Sequence, residues 1–139
     1  MRFAFIDVDG TLIDKDDNVR PYVPELISGL VKLGFSITVW SAGGALYAAD
    51  KWNMICNRLF YTTGEFLYED VKNFAWKLDW ESEALIGEHF YIDDQESILQ
   101  KAKEKGHKVY HVPFYEQAVN YTDPHLLFAL QYIQKELTA

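Results

Sequence analysis

Apolar residues fall along this chain in short bursts separated by polar, turn-forming stretches. The first burst, Phe3 to Ile6 with Val8, is rich in β-formers and predicts a buried strand over residues 3–8. Residues 12–20 are polar and turn-prone, a loop or hairpin hanging over the end of that strand. Pro24 suits the first position of a helix whose stripe is Leu26, Ile27, Leu30 and Val31, with Gly34 closing it. Residues 35–40 predict a second strand, followed by Ser41-Ala42-Gly43-Gly44. A helix is expected from about Ala45 to Met54, burying Leu46, Ala49 and Trp52, and Leu59–Thr62 reads as a short third strand. Asp70 is placed to cap a helix from Val71 to about Leu78, with Val71, Phe74, Ala75 and Leu78 inward. His89–Ile92 is a fourth strand, Glu96–Glu104 a helix closed by Gly106, and His107–Val112 a fifth strand stopped by Pro113. Asp123-Pro124 opens a last helix lined by Leu126, Leu127, Leu130, Ile133 and Leu137.

Strands alternating with helices at this spacing imply βαβ units. The expected fold is α/β, a three-layer Rossmann-like domain around a central five-stranded parallel sheet. The 139 residues suffice for one such domain with a real core, taken as residues 1–139. Apolar residues make up 49% of the chain, which excludes a disordered segment.

The formal charge of −8 argues against a broad nucleic-acid footprint but leaves room for a local basic rim around an anion site. Cys56 cannot form an internal disulfide and sits among apolar neighbours, so it reads as a core thiol. No apolar run approaches membrane-spanning length, and no basic-then-apolar leader opens the chain, so a cytoplasmic protein without membrane attachment is expected. A monomer or weak homodimer is the expected state.

Three polar clusters share one kind of position, the C-terminal end of an expected strand: Asp7 with Asp9, then Ser41, then Asp93 with Asp94. A single Asp after a strand is an ordinary cap or turn residue. Three clusters on parallel strands converge on one edge, where α/β sheets bind ligands. Acids crowded there raise each other's pKa unless a cation or a proton sits between them. Asp14, Asp16 and Asp17 lack the glycine and distal glutamate of a calcium loop. His89, His107 and His111 share no metal-ligand spacing and read as structural, and Trp76 and Trp80 as packing.

Asp7-Val8-Asp9-Gly10-Thr11-Leu12 resembles the first motif of haloacid dehalogenase (HAD) superfamily phosphatases, a strand followed by D-x-D-G-T-L. Ser41 after Ile37–Trp40 is similar to their second motif, and Asp93-Asp94 after Phe90–Ile92 to their fourth. The resemblance runs from Phe3 to about Val112 in the same order. It implies that Asp7 is a nucleophile forming an aspartyl-phosphate and that Asp9 protonates the leaving oxygen and then activates water. It implies Mg2+ held by Asp7, the Asp9 backbone carbonyl and Asp93, with Asp94 supporting that shell. Ser41, the N–H groups of Ala42 and Gly43, and Thr11 would hold the phosphate.

The family's third motif is a lysine. Lys72 and Lys77 flank the apolar face of the expected helix by similar angles, so helical phase does not separate them. Lys72 is favoured because the family places this lysine at the start of the helix before the acid-pair strand, with Lys77 the alternative. Neither loop that houses a cap domain in the family has spare residues here, so the resemblance implies a capless member with an open site. Such a site suits a phosphorylated substrate that is large, a phosphoprotein for example, although small metabolites are also taken. Tyr47 and Arg20 are candidates for the pocket rim, as is the loop from Phe114 to Thr122 with Tyr115 and Tyr121. A phosphotransferase or a polynucleotide-end phosphatase would need a basic groove that the charge does not advertise. A non-catalytic binding module would be expected to have lost an acid, and none is missing.

Overall fold

In a computed structural model, which describes residues 2–64, 67–77 and 89–138, the strand β1 (Arg2–Asp7) lies at the centre of a parallel sheet. The order is β3-β2-β1-β4-β5, with β2 at Phe35–Ser41, β3 at Val71–Trp76, β4 at Phe90–Asp93 and β5 at Lys108–His111. All four strand pairs are parallel. The helices are α1 (Val23–Lys32), α2 (Ala45–Thr63), α3 (Glu96–Glu104) and α4 (His125–Thr138). This is the α/β, Rossmann-like arrangement that the alternating pattern implies.

The alternation along the strands sorts the core into two layers. Ala4, Ile6, Ile37, Val39, Phe90 and Ile92 point to one face and pack with α1, α2 and α4. Phe5, Trp40 and Tyr91 point to the other, where they form an aromatic cluster under Ile98, Leu99 and Ala102 of α3. On the first face α1 and α4 meet closely at Gly29, where a Cβ would lie 2.6 Å from Leu130 Cδ2. Full burial of one Leu or Ile side chain contributes about 1.5–3 kcal/mol, so the first face, rich in fully buried aliphatics, dominates stability. Cys56 lies in this layer, and burial pushes its thiol up to about 12, as befits a core residue.

Two expected elements are corrected. Leu59–Thr62 is not a strand but the last turns of α2, which runs to Thr63. The buried residues Ala48, Trp52, Ile55, Cys56 and Leu59 form one unbroken helical stripe, whereas Leu46 stands 84% exposed and Ala49 only half-buried. Continuous tertiary packing outweighs the local β-propensity of Leu-Phe-Tyr-Thr.

Conversely, Val71 to Trp76 is not a helix but the edge strand β3. A register shift between Ile37 and Thr38 pairs Ile37 with Val71 and Thr38 with Asn73, leaving Lys72 as the extra residue. The shift puts Val71 and Phe74, three apart, on the face that carries Ile37 and Val39, while Ala75 joins the Trp40 side. A bulge thus lends a strand the i, i+3, i+4 spacing of a helix. Trp76 is half exposed on this edge, and Leu78 and Trp80 lie outside the described residues.

The connection from β1 to α1, residues 8–22, folds back as a small hairpin-like loop in which Arg20 N–H donates to the Leu12 carbonyl and Asp14 N–H to that of Asn18. The residues between β2 and β3 are taken up mainly by α2. Among the described residues neither connection contains an inserted domain. Among the described residues no helix is long and apolar enough to cross a membrane.

Candidate functional site

Asp7 ends β1 and Asp93 ends β4, the two strands on either side of the point where the connection order reverses. That switch point is where an open α/β sheet forms its ligand crevice. Carboxylate oxygens of Asp7, Asp93 and Asp94 all lie within 4.8 Å of one another, the first two residues buried and the third half-buried. Lys77, just past the end of β3, reaches into this group. Its Nζ is 3.1 Å from Asp7 Oδ1 and 2.7 Å from Asp93 Oδ2, and it donates to Gln95 Oε1 at 3.1 Å. The Lys77 N–H donates to the Ser41 carbonyl, continuing the β2–β3 pairing and fixing where the side chain starts.

The remaining contacts orient the acids. Thr11 Oγ1 donates to Asp7 Oδ2 at 3.1 Å and lies 3.4 Å from Asp94 Oδ1. Gln95 N–H donates to Asp93 Oδ1 at 2.9 Å. His111 Nε2 lies 3.0 Å from the Asp94 carbonyl oxygen. Gly10 makes the turn between Asp9 and Thr11 with φ +81, and a Cβ there would sit 2.4 Å from Phe114 Cδ2 and 2.8 Å from Asp94 Oδ2. Both the handedness and the space require glycine.

Among the described residues, three carboxylates against one ammonium leave an excess of negative charge in a largely buried spot. Burial first, then the charge of Asp93, pushes the Asp7 carboxyl up to about 9, although Lys77 opposes the shift. Burial likewise pushes Asp93 up to about 6 against the pull of Lys77. Lys77 itself is raised, because Asp7 and Asp93 outweigh the effect of its own burial. A hard divalent cation with oxygen ligands would relieve this excess, and three converging carboxylates are a donor set of that kind. The acids therefore fit a cation of the magnesium and calcium class.

This has a measurable consequence. An acid raised from 3.8 to about 9 binds more protons folded than unfolded, so without a cation its contribution favours the fold at acid pH and is lost as pH rises through that window. The slope is at most about 1.4 kcal/mol per pH unit for one proton. A cation bound at these acids would have to displace that proton. Urea unfolding with and without Mg2+ is therefore expected to show a stabilisation that grows between about pH 5 and pH 8. An increment that shrinks with rising pH would exclude binding at these acids.

The other sequence candidates divide clearly. The Asp9 side chain is exposed and outside the three-carboxylate cluster, and Tyr47 OH donates to its Oδ1 at 3.0 Å. Ser41 ends β2 one step beyond the partner of Asp7, and its Oγ accepts from Gly43 N–H at 3.0 Å. Ala42 and Gly43 are exposed just ahead of the α2 N-terminus. Lys72 is not at this edge. It is exposed near the start of β3 and lines a groove at the opposite end of the sheet with Ser36, Glu69 and Asp70. The lysine brought to the acids is Lys77, because the strand correction places it, and not Lys72, at a C-terminal strand end.

Arg20 is not a rim residue. It is buried, donates to both Asp123 oxygens at 2.9 Å, and donates from Nη1 to the carbonyls of Gly10 and Thr11. Phe114 borders Gly10 and Asp94, Tyr115 is buried and its N–H donates to the Gly10 carbonyl, and Tyr121 is 75% exposed. His89 accepts from Phe3 N–H at Nδ1, a structural role as expected. Gln95 escaped the sequence reading, although its position directly after the acid pair was the available signal. No protein-family model matches the chain, and no curated protein matches it.

Proposed function

We propose that this protein is a magnesium-dependent phosphomonoester hydrolase of the HAD type, working through an aspartyl-phosphate on Asp7 at an open site. The observation that carries the reading is Lys77 Nζ lying between Asp7 and Asp93 at the sheet's switch point, with Thr11, Asp94 and Ser41 at the same edge. The D-x-D-G-T-L stretch and the order of the motifs support it.

An Asp7 oxygen attacks phosphorus, and the bond from phosphorus to the leaving oxygen breaks as Asp9 delivers a proton to that oxygen. Water then attacks the aspartyl-phosphate, giving its proton to Asp9, and the Asp7–phosphorus bond breaks to release phosphate. Lys77 and Thr11 each hold one Asp7 oxygen, so the carboxylate is oriented before substrate arrives. Ser41 and the Ala42 and Gly43 N–H groups, just ahead of α2, would receive phosphate oxygens, the Gly43 N–H on leaving Ser41 Oγ. Asp7, Asp93 and Asp94, with the Asp9 carbonyl, would hold Mg2+, which when bound supplies charge neutralisation for the nucleophile and the phosphoryl group.

The test is Mg2+-dependent hydrolysis of p-nitrophenyl phosphate by the wild type and by Asp7→Asn. The wild type is expected to turn over and the variant to fall to background. No activity in either, together with no stabilisation by beryllofluoride, sinks the proposal.

A further inference from the structure

We propose that Tyr47 is a positioning residue for Asp9, choosing which carboxylate oxygen carries the proton to the leaving group. This rests on the phosphatase reading above. Asp9 leaves β1 with an exposed side chain, and a short carboxylate in water samples several rotamers. Tyr47 limits that freedom by donating its hydroxyl to Oδ1 at 3.0 Å. A phenol on Oδ1 leaves Oδ2 as the oxygen that bears the transferable proton. When the phosphorus–oxygen bond breaks, that proton passes to the departing oxygen and Asp9 is left as a carboxylate still held by Tyr47.

The tyrosine is itself braced from two sides. It stands in the first turn of α2, and its ring packs against Gly43, where a Cβ would lie 2.9 Å from Tyr47 Cγ. Lys51 Nζ lies 5.5 Å from the ring centroid, and the same Nζ pairs with Asp17 Oδ1 at 2.9 Å. The loop that bears the phosphate-binding groups, the start of α2 and the hairpin-like loop after β1 therefore meet at this side chain.

Leaving-group chemistry tests this. p-Nitrophenolate departs with little need of a proton, whereas an alkoxide needs one. kcat/KM is measured with p-nitrophenyl phosphate and with an alkyl phosphate for wild type, Tyr47→Phe, Asp9→Asn and the double variant. General acid catalysis is worth about 10²–10⁴-fold, so Tyr47→Phe is expected to lose about tenfold or more on the alkyl ester and less than about threefold on the aryl ester. In the Asp9→Asn background, removal of the hydroxyl is expected to cost nothing further. Stabilisation by Mg2+ with beryllofluoride is expected to match wild type in Tyr47→Phe. Equal losses on the two esters, no loss on either, or additive losses in the double variant would overturn the proposal while leaving the phosphatase standing. A wild type that hydrolyses neither ester removes both.

Discussion

Replacing Lys77 with methionine is expected to lower kcat/KM for phosphate ester hydrolysis by about 10²–10³-fold, the usual cost of removing one preorganised electrostatic partner. Lys72→Met is expected to leave the rate unchanged. The two side chains differ in what surrounds them. Lys77 is 2% exposed and lies within ion-pair distance of Asp7 and Asp93, while Lys72 is in solvent at the other end of the sheet. Methionine keeps most of the length of the side chain, one atom short, and removes its charge. The acids would then face each other without an ammonium, and Asp7, already pushed up by burial, would hold its proton still more firmly. A protonated carboxyl is a poor nucleophile, so excess Mg2+ is expected to recover part of the loss, and more of it at higher pH. The check is a kinetic comparison of the two variants across pH and Mg2+ concentration. Equal losses in both would remove Lys77 from the site.

The second large effect concerns the brace beneath the loop. Asp123→Ala is expected to destabilise the fold by about 3–5 kcal/mol, because it leaves the buried Arg20 guanidinium uncompensated. For a chain of this size that corresponds to a fall of roughly 10 °C or more in the melting midpoint. Arg20 has a fully buried side chain whose donors go to Asp123 and to the Gly10 and Thr11 carbonyls. Asp123 in turn caps α4 by accepting from His125 N–H at 2.9 Å. Removing both partners, as in Arg20→Met with Asp123→Leu, is expected to recover much of the stability but little of the activity, since the carbonyls that shape the Gly10 turn lose their donor. Burial opposes ionisation of Asp123, yet Arg20 and the His125 N–H hold its pKa below the ordinary value. Its contribution to stability is therefore present above the ordinary carboxylate range and lost as pH falls through it, opposite in sign to Asp7. Thermal unfolding of the wild type and of these two variants from about pH 3 to 7 separates these effects. A single variant as stable as the wild type would show that the pair contributes nothing.

How much of this was written in the chain can be read element by element. β1, β2 and β4 carry apolar runs ended by a polar residue, and these runs fall within a residue or two of the observed strands. α3 falls where its stripe and Gly106 put it, and α4 starts just after Asp123-Pro124. These elements are buried on at least one full face, so core packing and local pattern agree. Because β1, β2 and β4 are parallel, the convergence of Asp7, Ser41 and Asp93 also followed from sequence once the strands were recognised.

The chain between α2 and β3 obeyed no such agreement. A bulged edge strand has one face half in solvent and its alternation broken by an extra residue, so its pattern imitates a helix. The end of α2, in turn, carries β-forming residues that only the continuous stripe from Ala48 to Leu59 holds helical. That single exchange decided the lysine, because a strand delivers its next residue to the sheet edge whereas a helix would have left Lys72 and Lys77 equivalent. Long-range pairs were equally invisible: Arg20 with Asp123, Tyr47 with Asp9, and Lys77 with two acids from different strands. The sequence by itself determined the acids, the central strands that carry them and the edge at which they meet. Only the tertiary structure decided which cation faces those acids and what braces their loop, because those contacts depend on register and packing between segments far apart in the chain.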